Sequence, residues 1–413
     1  MTRRPRMVGR PQLVKIVEVM LLLAASFSDV TFHAHPGESS VFPLALALAL
    51  FGLRSDYSKN ATVLVFLALA LGVAYGWAGG ASVESAAQAG IAYIQLIVVG
   101  AYYLKWGWTG PLSVPVGILS FHLIIGFMQY SEFASDSLAY FLGLLLPRSS
   151  AVALSDIGRG ISFVSTEPSH ALQSILLPMY LVAVEGDLRM RWLAAFSFLA
   201  TVFFAGAGVG YVYLMVAILF ASIRRPILAI VSSMVIALVV SSVLEKDSRI
   251  ISLALSFFAI FDDWSWDAFL MATSLSGFRL PSVLAAYSSL LYLPSWVGFG
   301  MWDVSSLEFI SRLGYDVENL GHWRYTGELT SIKPYSPVAN LILDFWWAGL
   351  VAPVLLVSKP LATVLCSKAS RNVVADALLC VGVFGVFFLV TVGKPAFVAT
   401  ICMAEYFRRQ RKS

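Results

Sequence analysis

The sequence has little charge. Only 13% of its 413 residues are Asp, Glu, Lys or Arg, and 59% are hydrophobic. A soluble domain carries about 25% charged residues. With a mean hydropathy of +0.80, an ordinary soluble globule is excluded. Cysteine is scarce as well. Cys366, Cys380 and Cys402 lie in or near the last apolar runs, without metal-ligand spacing. They have no outer-face position for a disulfide, so they read as small buried hydrophobes. There is no zinc pattern, no Walker-type phosphate loop, no dinucleotide fingerprint and no Asp-x-Asp pair. Nothing points to a metal, a cofactor or a nucleic acid. No internal repeat is visible.

What the chain does have is apolar runs from end to end. They lie near 13–29, 41–53, 61–79, 89–104, 111–129, 169–185, 192–206, 208–222, 226–243, 338–357, 372–391 and 394–406. The expectation is an all-α polytopic membrane protein with about twelve transmembrane helices. The run after the basic N-terminus is followed by Ser28 to His35, a poor cleavage pattern, so it is expected to stay as the first helix. Gly206, Gly208 and Gly210 supply a turn between two spans that would otherwise merge.

Charge then sets an expected orientation. With twelve spans and a cytoplasmic N-terminus, the inner segments carry 19 of the 28 basic residues, as the positive-inside rule asks. Both termini are then cytoplasmic. The remaining nine are Arg148, Arg159, Lys246, Arg249, Arg279, Arg312, Arg324, Lys333 and Lys394. All but Lys394 fall in two long outer segments. The expected organisation is 1–129 (five spans), 130–168 (first outer loop), 169–243 (four spans), 244–337 (second outer loop) and 338–413 (three spans and a basic tail).

The first outer loop ends in a polar knot. Ser137 to Leu146 is apolar, too short to span, and followed by Pro147 and Arg148. Then comes Arg159 between two glycines, and Glu167-Pro168-Ser169-His170 opens the next span. Pro168 suits the first helical position, which puts Glu167 at the cap. There it is either a structural cap or a functional carboxylate that accepts a proton or orients Arg159. His170 is the rival base, with an intrinsic pKa better suited to the task.

The second outer loop repeats the theme. Arg249 precedes a short apolar run, and Asp262, Asp263 and Asp267 follow. In Ser276-Gly-Phe-Arg-Leu-Pro-Ser282, Pro281 marks a helix start and leaves Arg279 at a helix N-terminus. A cation there is unfavourable alone. It becomes sensible if it pairs with an acid, or if guanidinium and backbone N–H groups share an anion. Trp302, His322 and Arg324 follow in a stretch rich in Trp and Tyr. Such rings either stack on sugars or anchor a membrane interface.

With these features the chain resembles the Wzy-type polymerases of bacterial O-antigen and exopolysaccharide, relatives of the O-antigen ligases. The resemblance rests on Arg159 leading to Glu167-Pro168-Ser169, and on Arg279 followed by Gly298-Phe-Gly300. It also rests on Asn340-Leu-Ile-Leu-Asp-Phe-Trp-Trp-Ala-Gly-Leu350 opening the span after the large loop. It implies a GT-C-like polymerase or ligase architecture in the bacterial inner membrane. The implied reaction is metal-independent glycosyl transfer between oligosaccharides linked to undecaprenyl diphosphate. Glu167, His170, Arg159 and Arg279 would be catalytic. Arg148, Arg249, Arg324, His322 and Trp302 would bind substrate. The implied partners are the lipid-linked oligosaccharide, membrane lipid, a chain-length regulator and a flippase. In the ligases a histidine often precedes the late span. Tyr335-Ser-Pro-Val-Ala-Asn340 has none, which favours a polymerase. A lipid-linked oligosaccharide flippase is the competing class, but it should carry ionisable groups inside its spans. Here only Glu18, His122, Asp344 and Asp376 qualify.

Overall fold

The structure is a computed structural model. It describes residues 10–28, 41–54, 59–131, 161, 163–165, 170–205, 208–224, 265–274, 278–318, 320, 332–366, 372–390 and 393–410. Among them there is no strand. The expected span 226–243 and the residues Arg148, Arg159, Glu167, Arg249, His322 and Arg324 lie outside the described residues.

Among the described residues, eight helices precede the second long polar segment. They are α1 (Arg10–Ser26), α2 (Phe42–Leu53), α3 (Lys59–Ala78), α4 (Val83–Trp106), α5 (Ser113–Tyr130), α6 (Ala171–Glu185), α7 (Leu188–Ala205) and α8 (Gly208–Arg224). Within that segment lie α9 (Trp266–Ser274), α10 (Arg279–Ser288) and α11 (Trp302–Arg312). The chain ends with α12 (Pro337–Phe345), α13 (Trp347–Cys366), α14 (Val373–Phe384) and α15 (Pro395–Gln410). A π-helical turn, Gly385–Leu389, continues α14.

Among the described residues, four helices are long and apolar enough to cross a membrane: α4, α5, α7 and α13. Their outward faces carry exposed Ile97, Phe127, Phe196 and Leu355. Large apolar groups on the outside of helices are expected where the solvent is lipid. The chain is an all-α protein built for a membrane. At its centre is α6, every residue of which from Ala171 to Ala183 is buried. It packs against α1, α5, α7, α14 and α15. A helix that is hydrophobic all round belongs in such an interior.

Local sequence explains where several helices begin. Ser82 caps α4 by accepting from the Ser85 N–H at 3.1 Å, and Glu84 sits in the first turn. Ser336 caps α12 through the Ala339 N–H at 3.1 Å, with Pro337 next. Asn372 caps α14 through the Ala375 N–H. Each side-chain oxygen satisfies an N–H that the helix itself leaves unpaired. α7 ends at Ala205 and α8 begins at Gly208, so the two spans expected on either side of the glycine run are separate helices, with Gly208 and Gly210 in the first turn of α8.

One expectation needs correction. The run 338–357 is not one helix. The chain breaks at Trp346, whose φ is +55°, and α12 and α13 meet there. Gly349 makes the break possible, because a Cβ at that position would run into the Leu341 carbonyl group. At the start of α6, His170 holds the cap position with near-helical angles (φ −92°, ψ −12°) and makes no side-chain cap hydrogen bond. The expected cap, Glu167, lies outside the described residues.

The described part of the second polar segment has a small core. Ala285, Ile310, Tyr315, Leu320 and Ile332 cluster between α10 and α11. Burial raises the Tyr315 phenol above its ordinary value, and its hydroxyl pairs with Thr273 at 2.6 Å. The Gly298–Met301 turn then drops onto the bundle. The Gly298 N–H donates to the Asp344 carbonyl and the Phe299 N–H to the Gly72 carbonyl. The Phe299 ring lies beside those of Tyr93 and Phe345.

Candidate functional site

Polar side chains gather where several helices start. His170 precedes α6, Arg279 opens α10, Tyr335 precedes the Ser336 cap of α12, and Lys394 precedes α15. His170 Nε2 and the Tyr335 hydroxyl are 2.5 Å apart, and both residues are buried. The two rings lie at 22° to one another with centroids 6.1 Å apart. On Tyr335 also rests the Arg279 guanidinium, with Cζ 4.6 Å from the ring centroid. A planar guanidinium over an aromatic face is oriented as well as attracted. The amino ends of α6, α10 and α12 therefore meet at one tyrosine.

The fourth amino end is linked through Tyr213 of α8. Its ring packs on Phe397, in the first turn of α15, at 5.9 Å. Tyr213 is also within electrostatic reach of both Arg279 and Tyr335. Lys394, one residue ahead of α15, is buried at 1% exposure. The Arg279 guanidinium, the His170 imidazole and the amino ends of three helices make the surroundings of Tyr335 electropositive. Such a place suits an anion, above all a phosphate group.

A π turn stiffens the neighbourhood. Because its ladder skips a residue, Gly385–Leu389 leaves carbonyl groups without the usual α-helical partners. Side chains take them up. The Ser336 hydroxyl donates to the Phe387 carbonyl at 2.6 Å, and the Tyr287 hydroxyl to the same carbonyl at 3.1 Å. Tyr213 and Gln173 donate to the Leu389 carbonyl at 2.9 and 3.3 Å. Burial pushes the Tyr287 phenol above its ordinary value, which keeps it a neutral donor. Four different helices or their caps thus grip one turn, and the residues doing so flank His170, Tyr335 and Arg279.

Of the residues expected from sequence, His170 and Arg279 come together, through Tyr335. Trp302 does not present an open face for a sugar. It is buried beside Val283, Tyr335, Ala339 and Leu343, where tertiary packing uses its bulk to back the Tyr335 ring. Lys333 Nζ lies 5.6 Å from the centroid of its ring. Sequence reading missed Tyr335, Tyr213 and the role of Lys394's neighbourhood. For Tyr335 a signal existed: Ser336-Pro337 is a helix start, and a tyrosine just before one stands beside unpaired N–H groups.

Glu18 and Asp344, two of the ionisable groups inside the helices, have polar partners. Glu18 accepts from the Tyr102 hydroxyl at 3.0 Å and the Thr109 N–H at 3.1 Å, and also from the Thr109 hydroxyl. Arg54 approaches it at 3.9 Å. Asp344 accepts from the Tyr93 hydroxyl at 2.7 Å and faces the N–H groups of Gly300, Met301 and Trp302 at the start of α11. The His122 ring stacks on Phe163 at 4.3 Å.

No family model, no curated protein and no solved structure matches this chain.

Proposed function

We propose that the chain is a polysaccharide polymerase of the bacterial inner membrane. It joins oligosaccharide repeat units carried on undecaprenyl diphosphate at the outer leaflet, with both termini cytoplasmic. The observation that carries this reading is the His170–Tyr335–Arg279 cluster, set among helix starts in an apolar bundle. Arg279 and the helix N–H groups would hold the diphosphate. The anomeric carbon–oxygen bond to the diphosphate breaks, and the hydroxyl oxygen of the incoming unit bonds to that carbon. The hydroxyl proton passes to the His170–Tyr335 pair, and undecaprenyl diphosphate leaves as a stabilised anion. Arg159 and Glu167, outside the described residues, complete the proposed set. Glu167 stands only three residues before His170.

The transporter reading is weakened by Glu18 and Asp344, whose carboxylates tie helices together. The ligase reading gains from one observation. No histidine precedes α12 in sequence, but His170 reaches that point in space, against Tyr335. The absence of a local histidine therefore no longer separates polymerase from ligase.

Deleting the gene and resolving the surface polysaccharide on a gel tests the proposal. Loss of a polymerase leaves single repeat units on the carrier or on lipid A core. Loss of a ligase leaves unattached polymer, and loss of a flippase removes both from the outer face.

A further inference from the structure

The stretch between α10 and the Gly298–Met301 turn holds its apolar side chains outward. Leu291 is 82% exposed and Leu293 86%, and Trp296 and Val297 are exposed beside them. Both ends of the stretch are fixed. The Tyr292 N–H donates to the Ser289 carbonyl at 3.1 Å, and the Gly298 N–H to the Asp344 carbonyl at 2.9 Å. Trp296 backs onto the end of α3, where a Cβ at Gly79 would lie 2.9 Å from the Trp296 Cβ. This is a held surface made of leucine and tryptophan.

Its neighbour is a helix face of the same character. Leu67, Leu71 and Tyr75 of α3 are exposed at four-residue spacing, which places them in one stripe along the helix. That stripe runs toward Gly79 and Trp296. On the other side the Arg312 guanidinium lies 4.9 Å from the Tyr292 ring centroid, with Glu308 paired to it. Apolar tips, then aromatic rings, then a cation is the order of groups across a membrane interface.

We propose that Leu291–Val297 is a lip sunk into the acyl region of one leaflet, the leaflet reached by the carboxyl end of α3. It continues the lipid-facing stripe of that helix, and Tyr292 and Arg312 lie at headgroup level. The lip also anchors α10. Arg279 is the first residue of that ten-residue helix, so the lip fixes Arg279 about 15 Å away. Lipid contact of this surface does not depend on the polymerase reading.

The full chain in nanodiscs of phosphatidylethanolamine and phosphatidylglycerol tests it. A photoreactive diazirine analogue of leucine is introduced at position 293, and in a second sample the same probe replaces exposed Asp316. After illumination the adducts are identified by mass. The expected result is a phospholipid adduct as the main product at position 293 and water addition at position 316. Water addition as the main product at 293 would overturn the lip. So would chain-to-chain cross-links there, which would make this face a contact between copies.

Discussion

His170 and Tyr335 are 165 residues apart in the chain, yet the imidazole Nε2 and the phenol oxygen lie 2.5 Å from one another. Each stands immediately before a helix, and Arg279, the first residue of a third, rests on the tyrosine ring. One side chain therefore links the imidazole to the guanidinium.

Tyr335→Phe isolates the hydroxyl. It keeps the ring under Arg279 and removes only the group that meets His170. Polymer output should fall roughly a hundredfold or more, the size of an acid–base contribution, with protein still present in the membrane. Chain length and yield on a gel, at matched protein level, check this.

At Arg279, charge and shape separate. Arg279→Lys keeps the cation but loses the planar fork and its stacking on Tyr335. It should leave low but measurable polymer, while Arg279→Ala leaves almost none. Equal output from all three proteins would remove Arg279 from the site.

Asp344 makes a structural prediction. Asp344→Ala strips acceptors from the buried Tyr93 hydroxyl and from the start of α11. It should cost about 3 kcal/mol, the scale of buried donors left unsatisfied. Asp344→Asn retains an acceptor and should cost less. Thermal unfolding in detergent measures both.

Gly126 is cradled by Phe163, whose ring occupies the space of any side chain at that position. The Phe163 backbone is held by Gln129, which accepts from its N–H at 2.8 Å and donates to its carbonyl at 3.1 Å. Gly126→Val should destabilise the protein by about 2 kcal/mol through overpacking. In combination with Phe163→Ala the loss should be less than the sum of the two single losses. Additive losses would show that the two residues do not share that space.

Much of the fold was legible because lipid-facing and buried helices leave long apolar runs. A helix lies at each expected run that the structure describes. Glycine and proline marked the division between α7 and α8 and the start of α10 at Arg279. The break at Trp346 was not legible. Apart from Asp344 the sequence around it is apolar and carries no proline, and the strained φ goes with the close approach of Gly349 to Leu341. Half of the candidate site was legible as well. His170 and Arg279 announced themselves as polar groups at helix starts. Tyr335 carried only the signal of its place before Ser336-Pro337, and its contacts with residues 165 and 56 positions away are encoded in no local pattern. The burial of Trp302 was not legible for the same reason, because it is decided by α10 and α12.

The most direct measurement uses the purified chain in liposomes with an undecaprenyl-diphosphate-linked repeat unit as sole substrate. The account predicts a ladder of lengthening glycans and one undecaprenyl diphosphate released per bond formed, both lost in Arg279→Ala. No ladder from the intact protein, while the same preparation transfers preformed glycan to lipid A core or moves the lipid across the bilayer unchanged, would contradict it.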